Sequence, residues 1–486
     1  MSGRLFDGRL RAADPWWWPL IALMVAWTWH FTRLSLEIHH GFGTSSYDLG
    51  LYDQGLWLLS RFRSPFVTLM GRHLFGDHTS FILLLLVPWY WVAPSVATLL
   101  LVQSAVVAAG AVPVFLYARH RLGSGALGLV FGAVYLAHPA VGWTNLENFH
   151  PDAFLGFFVG MAIWAALVRR WRVYAAFVVL ALLVKEDVSL VMVPLGVWVA
   201  LRRDRRIGIL TIVGSLAYMA VAMLVVMRSL IGVPTRNLWR IPFGGVWGSI
   251  RTAVYHPGEM FDHLRSDGRP RYLWQMIFPA GWASIRLPDV AAISGLVLFT
   301  NVLSTFSYQY QIQYHYSLIA VPALTLGAVH AVGVVRQRRR IVVVGAVALT
   351  AVWSSILWGP LPWSRNEISH WAPSHPGARA ARDIVHQVPA DAVVSAHHLV
   401  ATHLAHRPLI YMFPNPFRLI LYGPDRRLEG TRLDDLAERV EYVVLPVDRS
   451  EMEARDWAAI EAAFAVESAN DYWVLYRRDG PLPPAP

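Results

Sequence analysis

The sequence predicts a mainly α-helical protein: a polytopic transmembrane bundle of about eleven helices, followed by a small α/β domain. The mean hydropathy is +0.41, 55% of the residues are hydrophobic and only 15% are charged. Soluble domains carry roughly 25% charged residues, and apolar runs suited to a bilayer recur along this chain. The chain has no cysteine, which excludes disulfides and thiolate metal sites.

The apolar runs between charged loops define the individual helices. The segment 81–92 is apolar but short and contains Pro88, so we expect an interfacial or re-entrant helix there. The membrane-spanning helices are predicted at residues 16–32, 95–118, 124–139, 153–168, 173–185, 188–201, 207–228, 272–285, 289–305, 316–333 and 341–358.

Four arginine-rich clusters, at residues 119–121, 169–172, 202–206 and 336–340, determine the predicted orientation. Only one membrane topology, or threading of the chain through the bilayer, places all four clusters in the cytoplasm. It also places the N-terminus inside and the C-terminus outside. The formal charge of +10 follows from this positive-inside bias, so we do not expect a nucleic-acid partner.

The predicted domain boundaries follow from this threading. A transmembrane domain covers residues 1–359, and its first outer loop, at 33–94, carries interfacial helices. An external α/β domain covers 360–480, and the proline-rich segment 481–486 is a disordered tail. Strands are expected at 391–396, 441–446 and 471–478, and helices at 375–388 and 453–464.

Three consecutive outer turns carry acidic and histidine side chains, which the threading brings to one face of the membrane. Solvation of loops does not require such a convergence, so we expect a functional site there. The residues are Asp48, Asp53, Asp77 and His78 in the first turn, Glu147, His150 and Asp152 in the second, and Lys185, Glu186 and Asp187 in the third.

Lys185 is the only lysine of the chain and lies with two acidic residues between two apolar runs. A charged side chain at bilayer depth costs at least about 2.5 kcal/mol, so these residues are expected to be paired, solvated or catalytic. A carboxylate such as Asp48 can act as a general base towards a hydroxyl group. Asp152, Glu186 and Asp187 could hold Mg²⁺ or Mn²⁺ against a phosphate. Lys185, His150 and His78 could offset the charge of a departing phosphate.

Purely structural roles are also possible for these residues. Asp48 and Asp152 each precede a helical segment and could act as N-caps. Lys185, Glu186 and Asp187 could form an internal ion pair that stabilises a helical hairpin.

The segment 308–317 alternates aromatic and polar residues on the same outer face. It could stack against a sugar ring or a lipid head group, or form an aromatic belt at the membrane interface. His315 is the residue of this segment to test. The pair His397 and His398 lacks the context of a zinc motif, so a zinc site is not expected there.

Several motifs together resemble an uncharacterised bacterial membrane-protein family that is related to the GT-C glycosyltransferases. They extend over most of residues 45–330 and occur in the order YDLGLYDQGLW, GDH, TLLLVQSAVVAAGAVPVFLYARHRL, NFHPDAF, VKEDV and YHYS.

The resemblance implies a multi-pass enzyme of the bacterial cytoplasmic membrane, with its site facing outwards. Such an enzyme transfers a sugar from a polyprenyl-phosphate donor to a glycan, lipid or protein acceptor, usually with inversion. The position of the family's catalytic base matches Asp48, with Asp53 as the alternative, and its second acidic position matches Asp152. Lys185, His150, His78 and His315 are the candidate ligands of the donor phosphate.

Two other functions are compatible with the sequence. A secondary transporter could use Lys185, Glu186 and Asp187 as an ion or proton relay, although its charges should then lie at mid-membrane. A scaffold subunit of a cell-envelope complex would use the external domain for binding and would tolerate replacement of Asp48.

Overall fold

The structure, a computed structural model, describes residues 15–484. The start of the predicted cytoplasmic N-terminus and the last two residues of the predicted tail therefore lie outside the described residues. The α-helices of eight or more residues are α1 (Trp17–His40), α2 (Leu51–Ser60), α3 (Val96–Ala109), α4 (Ala111–Leu122), α5 (Gly125–Ala137), α6 (Pro139–Leu146), α7 (Leu155–Leu167), α8 (Trp171–Leu182), α9 (Ser189–Arg202), α10 (Arg205–Val221), α11 (Val246–Tyr255), α12 (Pro257–Arg265), α13 (Arg269–Ile277), α14 (Gly295–Leu303), α15 (Val321–Val332), α16 (Gln337–Trp358), α17 (Pro376–Gln387) and α18 (Glu451–Ala458).

The helices confirm the mainly α-helical fold class, but one predicted membrane-spanning helix is absent. The helix predicted at 272–285 is wrong, because α13 ends at Ile277 and only a 3₁₀ turn, Gly281–Arg286, follows it. Pro279 and Gly281 explain the break, since proline lacks a backbone donor and glycine favours irregular backbone. At 81–92 a 3₁₀ turn, Phe81–Leu86, leads into the short helix Val87–Val92 with exposed apolar side chains, as an interfacial helix would have.

The number of membrane spans stays a prediction. By length and composition, four helical stretches within residues 15–484 could cross a membrane, and a fifth if α5 and α6, bent by 50°, form one span. The helices α7, α8 and α14 are shorter than the roughly 20 residues that a straight span needs. The four stretches are Val96–Leu122, Arg205–Ile231, His315–Val332 and Gln337–Trp358.

The helix bundle has two chemically different ends. One end is here called the arginine end. There Arg121 packs against Gly333, and Nε of Arg202 lies 3.6 Å from Oδ2 of Asp289. At the other, here called the acidic end, the backbone N–H of Ser45 donates to Asn148 and that of Thr79 donates to Glu186. The acidic turns therefore converge, as their positions in the predicted threading require.

The C-terminal region forms a five-stranded mixed sheet. The strands of the chain are β1 (Phe66–Val67) and β2 (Arg72–His73), which pair as a hairpin in the first loop, and β3 (Val394–Ala396), β4 (Ile410–Met412), β5 (Tyr442–Pro446), β6 (Phe464–Ala469) and β7 (Trp473–Arg478). The order in the five-stranded sheet is β4-β3-β5-β7-β6, with β3 parallel to β4 and β5, and with β7 antiparallel to β5 and β6. The three predicted strands are present, but β4 and β6 were not predicted, and β6 starts where the predicted helix 453–464 should end.

The sheet domain docks directly onto the first loop of the bundle. The Thr68 hydroxyl donates to the carbonyl of Ile410 at 2.8 Å and accepts from the backbone N–H of the same residue at 3.0 Å. The Gln54 amide donates to the carbonyl of Arg407 at 3.1 Å. The acidic end of the bundle thus lies beside this domain.

Candidate active site

Asp48 lies in a π-helical turn, Ser46–Gly50, that leads into α2. Ser45 caps this turn by accepting from the backbone N–H of Tyr47, so the alternative that Asp48 is itself the N-cap is wrong. The Asp48 carboxylate is one-third exposed and lies 3.4 Å from Nε2 of His150. It is therefore open to a ligand and paired with a buried imidazole.

His150 connects two parts of the acidic end. It is buried, and its ring stacks on that of His315 with centroids 3.9 Å apart. Burial alone would lower the pKa of His150, but the carboxylates of Glu147 and Asp48 outweigh it and raise the pKa to about 9. The ring is thus held between Asp48 and His315.

Glu147 belongs to the same cluster and contacts His315. Its carboxylate accepts from the backbone N–H of His315 and lies 3.0 Å from Nδ1 of that ring. Burial raises the pKa of Glu147 to about 8 because the charged form loses its hydration, an effect that the nearby His150 opposes. Sequence reasoning placed Glu147 in the right turn but assigned it no role.

Lys185 is buried within a group of three possible partners. Its Nζ lies 3.7 Å from Asp152, 3.8 Å from Asp187 and 5.5 Å from the centre of the Tyr316 ring. Asp152 sits inside the 3₁₀ turn Pro151–Phe154 and contacts Lys185, so the capping alternative is wrong for this residue too. The predicted internal ion pair does exist, and it also includes the second outer turn.

Glu186 ties the third turn to the first loop. Its two oxygens lie 2.8 Å from Nδ1 of His78 and 3.1 Å from the backbone N–H of Thr79, which donates to it. Although burial works against it, His78 and Lys185 hold the pKa of Glu186 below its usual value. Both carboxylate oxygens of Glu186 thus contact the first loop.

Asp53 occupies a different environment from Asp48. It is only 2% exposed, accepts a hydrogen bond from the Tyr90 hydroxyl at 2.8 Å and lies 2.9 Å from Nε2 of His406 in the C-terminal domain. The structure therefore places this alternative base in a buried contact between the first loop and the sheet domain.

Arg240 belongs to the site although sequence reasoning missed it. Its guanidinium lies 4.3 Å from the Phe306 ring centre and donates to the Tyr316 hydroxyl at 3.2 Å, while the buried Nε atom has no hydrogen-bond partner. Arg240 ends the single 3₁₀ turn Leu238–Arg240, which is too short for a repeating pattern, so only the fold could reveal its proximity to Tyr316 and hence to Lys185.

The assembled group contains the parts needed for a displacement at a phosphate-linked carbon. A partly exposed carboxylate can take a proton from a hydroxyl group. Two cations near the Tyr316 ring, Lys185 and Arg240, can balance the charge of a phosphate. The stacked rings of Tyr308 and Tyr314, 4.0 Å apart, offer an aromatic surface next to His315.

Two comparisons relate this arrangement to known proteins. The fold is similar to the crystal structure of ArnT from Cupriavidus metallidurans bound to undecaprenyl phosphate, with a TM-score of 0.57, 14% identity, and coverage of 95% of this chain and 98% of that chain. The apo state of the same protein gives a TM-score of 0.56, 14% identity, and coverage of 94% and 97%. At this identity the likeness shows the fold alone.

Sequence comparison gives the family. No curated protein matches this chain at a significant level. The model of the family described as "Predicted membrane protein (DUF2079)" matches residues 39–482, which is most of the chain. This protein, with its ArnT-like fold and its cluster of Asp48, His150 and Lys185, therefore belongs to the DUF2079 family of predicted membrane proteins.

Proposed function

We propose that this protein is an integral-membrane glycosyltransferase that transfers a sugar from a polyprenyl-phosphate donor to an acceptor hydroxyl. The observation that carries the proposal is the partly exposed Asp48 carboxylate, 3.4 Å from buried His150, at the same end of the bundle as buried Lys185. The likeness of the fold to ArnT, solved with undecaprenyl phosphate, supports a donor of this class.

In the proposed reaction Asp48 takes the proton of the acceptor hydroxyl. The acceptor oxygen forms a bond to the anomeric carbon while the bond from that carbon to the phosphate oxygen breaks. The phosphate leaves with the electron pair as polyprenyl phosphate, and one direct displacement inverts the anomeric centre. His150 holds Asp48 in place and offsets its charge.

The donor phosphate is proposed to lie between Lys185 and Arg240. Among the predicted phosphate ligands, His78, His150 and His315 each face a carboxylate, from Glu186, Asp48 and Glu147 respectively. Lys185 also faces carboxylates, but its Nζ lies 3.7 Å from Asp152 and 3.8 Å from Asp187, which is farther than in the three histidine contacts. Arg240 has a buried Nε atom without a hydrogen-bond partner. A phosphate would satisfy both cations.

The lipid chain of the donor is proposed to lie in a groove between α8 and α10. This groove has a volume of about 630 Å³, is lined almost entirely by apolar atoms and includes Gly214 midway along it. Leu183 and Tyr218 line its end near the site, and the Tyr218 hydroxyl donates to the carbonyl of Thr79, whose N–H contacts Glu186. A polyprenyl chain entering sideways would thus lead its phosphate towards Lys185.

Filling this groove is expected to weaken donor binding. A Cβ atom at Gly214 meets no atom within 4 Å, so Gly214→Phe should fold normally while its ring occupies the groove. We expect KM for a long-chain donor to rise about tenfold, since losing contact with about two CH₂ groups costs roughly 1.5 kcal/mol. A donor with only two isoprene units should be much less affected.

The matched control for this prediction is Gly345→Phe. Gly345 is also an exposed helical glycine with open space around it, but it lies on α16, away from the groove. Kinetics of both variants in nanodiscs check the prediction, and equal KM values for wild type and Gly214→Phe would rule out the groove as the lipid site.

The orientation and the acceptor belong to the same proposal. The arginine end is proposed to face the cytoplasm, which places the site and the C-terminal domain on the outer side of the cytoplasmic membrane. That domain contacts the first loop, which carries Asp48, so we propose that it helps to receive a glycan, lipid or protein acceptor. A requirement for Mg²⁺ or Mn²⁺ at Asp152, Glu186 and Asp187 remains a prediction.

The proposed function is tested with the purified wild-type protein in nanodiscs. It is incubated with a panel of polyprenyl-phosphate sugars and a membrane extract as the source of acceptors, and release of free polyprenyl phosphate is measured. Time-dependent release from one donor is the expected result. Release from none of the donors, together with solute uptake by proteoliposomes that Glu186→Gln abolishes, would favour a transporter instead.

A further inference from the structure

Three side chains at the centre of the acidic end have the geometry of a metal-binding group. One nitrogen from each of His150 and His315 and one carboxylate oxygen of Glu147 lie within 4.8 Å of one another. His315 Nδ1 lies 3.0 Å from Glu147, close to the separation of about 3.3 Å between two ligands around a tetrahedral ion with bonds of about 2.0 Å. Both histidines are buried, and Glu147 nearly so.

The two ring nitrogens of His150 provide a second, independent observation. Nε2 faces the carboxylate of Asp48, whereas Nδ1 is buried and has no hydrogen-bond partner. An orphaned buried nitrogen is costly and calls for a ligand. Metal-bound histidines usually direct their second nitrogen to a carboxylate, which is the relation that Asp48 has to His150.

We propose that Glu147, His150 and His315 bind one divalent transition-metal ion of the zinc type. Two imidazoles and one carboxylate suit Zn²⁺ and related ions, whereas Mg²⁺ and Ca²⁺ prefer oxygen ligands. The set is therefore chemically different from Asp152, Glu186 and Asp187, for which magnesium or manganese is predicted. With three protein ligands the ion keeps a position open for water or substrate.

Binding has a structural consequence for the site. The two imidazole planes, now stacked at 23°, must turn against each other so that both nitrogens point at the ion. The ion then links the turn before α7 to the segment before α15 and holds His150 against Asp48. The three ligands come from parts of the chain 168 residues apart, so the site exists only in the folded protein.

The experiment measures metal binding without any sugar donor. The full-length protein in nanodiscs is treated with EDTA, and Zn²⁺ alone is titrated in competition with a chromogenic chelator. Wild type is expected to bind one equivalent. Removing a group that only hydrogen-bonds to a metal ligand typically lowers metal affinity 10- to 100-fold, so Asp48→Asn should lose about that amount. Glu147→Gln and His315→Ala should each lose more.

His398→Ala is the matched control, because His397, His398 and Glu453 form another group of histidines beside a carboxylate. This variant should bind zinc as wild type does. Absence of saturable binding to wild type, or loss of binding in His398→Ala but not in Glu147→Gln, would overturn the proposal. Asp48→Asn alters a partly exposed side chain, so its zinc affinity can be measured even if the variants at buried residues do not fold. Because no donor is present, the outcome is independent of whether the protein transfers sugar.

Discussion

Replacing Asp48 by asparagine is expected to lower the rate of sugar transfer by about 10²- to 10⁴-fold, the usual contribution of a general base. Asparagine has the same shape but cannot take a proton from the acceptor hydroxyl. The side chain is one-third exposed, so its replacement leaves no large buried cavity. The measurement is the turnover of the best donor in nanodiscs, with the melting temperature recorded beside it.

Asp53→Asn is the matched control, since it makes the same change five residues along the chain. Asp53 accepts from Tyr90 and contacts His406, so we expect a stability loss of roughly 1 to 3 kcal/mol from a weakened buried network. Turnover of the folded fraction should remain. The opposite pattern, with an active Asp48→Asn and an inactive but stable Asp53→Asn, would transfer the role of base to Asp53.

Replacing Lys185 by glutamine is expected to lower transfer by about 10²- to 10³-fold, the effect of removing one donor that stabilises developing charge. Under the proposed mechanism the lysine neutralises the phosphate as it departs, so kcat should fall more than the donor affinity. Single-turnover measurements with saturating donor separate the chemical step from binding.

This substitution also leaves the carboxylates of Asp152 and Asp187 without their cation, which by itself could unfold the site. The double variant Lys185→Gln with Asp152→Asn removes one charge of each sign and serves as the control. We expect it to recover stability and to stay inactive. Recovery of activity in the double variant would mean that Lys185 serves only to balance Asp152.

The sequence was sufficient to predict the convergence of the outer turns. Hydropathy located most of the helices of the bundle, and the arginine clusters predicted a single membrane topology, which brings Asp48, His150 and Lys185 to the same end of the bundle. Hydropathy and the distribution of arginines are both averaged over many residues, so an error of a few residues at one helix end does not change the predicted topology. The prediction of an internal ion pair at Lys185 followed from the cost of an unpaired charge at that depth.

Individual partners could not be predicted in this way. Asp48 and Asp53 look equivalent in the sequence, yet one faces the open site and the other is buried against His406, which is 353 residues away. Asp48 lies in the π-helical turn Ser46–Gly50 and Asp53 in α2, and five residues of helix turn the two side chains towards different surroundings. The broken helix after α13 was mispredicted because hydropathy outweighed the breaking effect of Pro279 and Gly281.

The sequence by itself determined the membrane-embedded α-helical class, the sheet domain that follows it and the end of the bundle where the acidic turns meet. These depend on composition and periodicity, which act locally along the chain. Only the tertiary structure decided that Glu147, rather than Glu186, joins His150 and His315, and that Arg240 approaches Tyr316. Such contacts depend on ångström-scale packing between segments distant in sequence, and no local pattern encodes them.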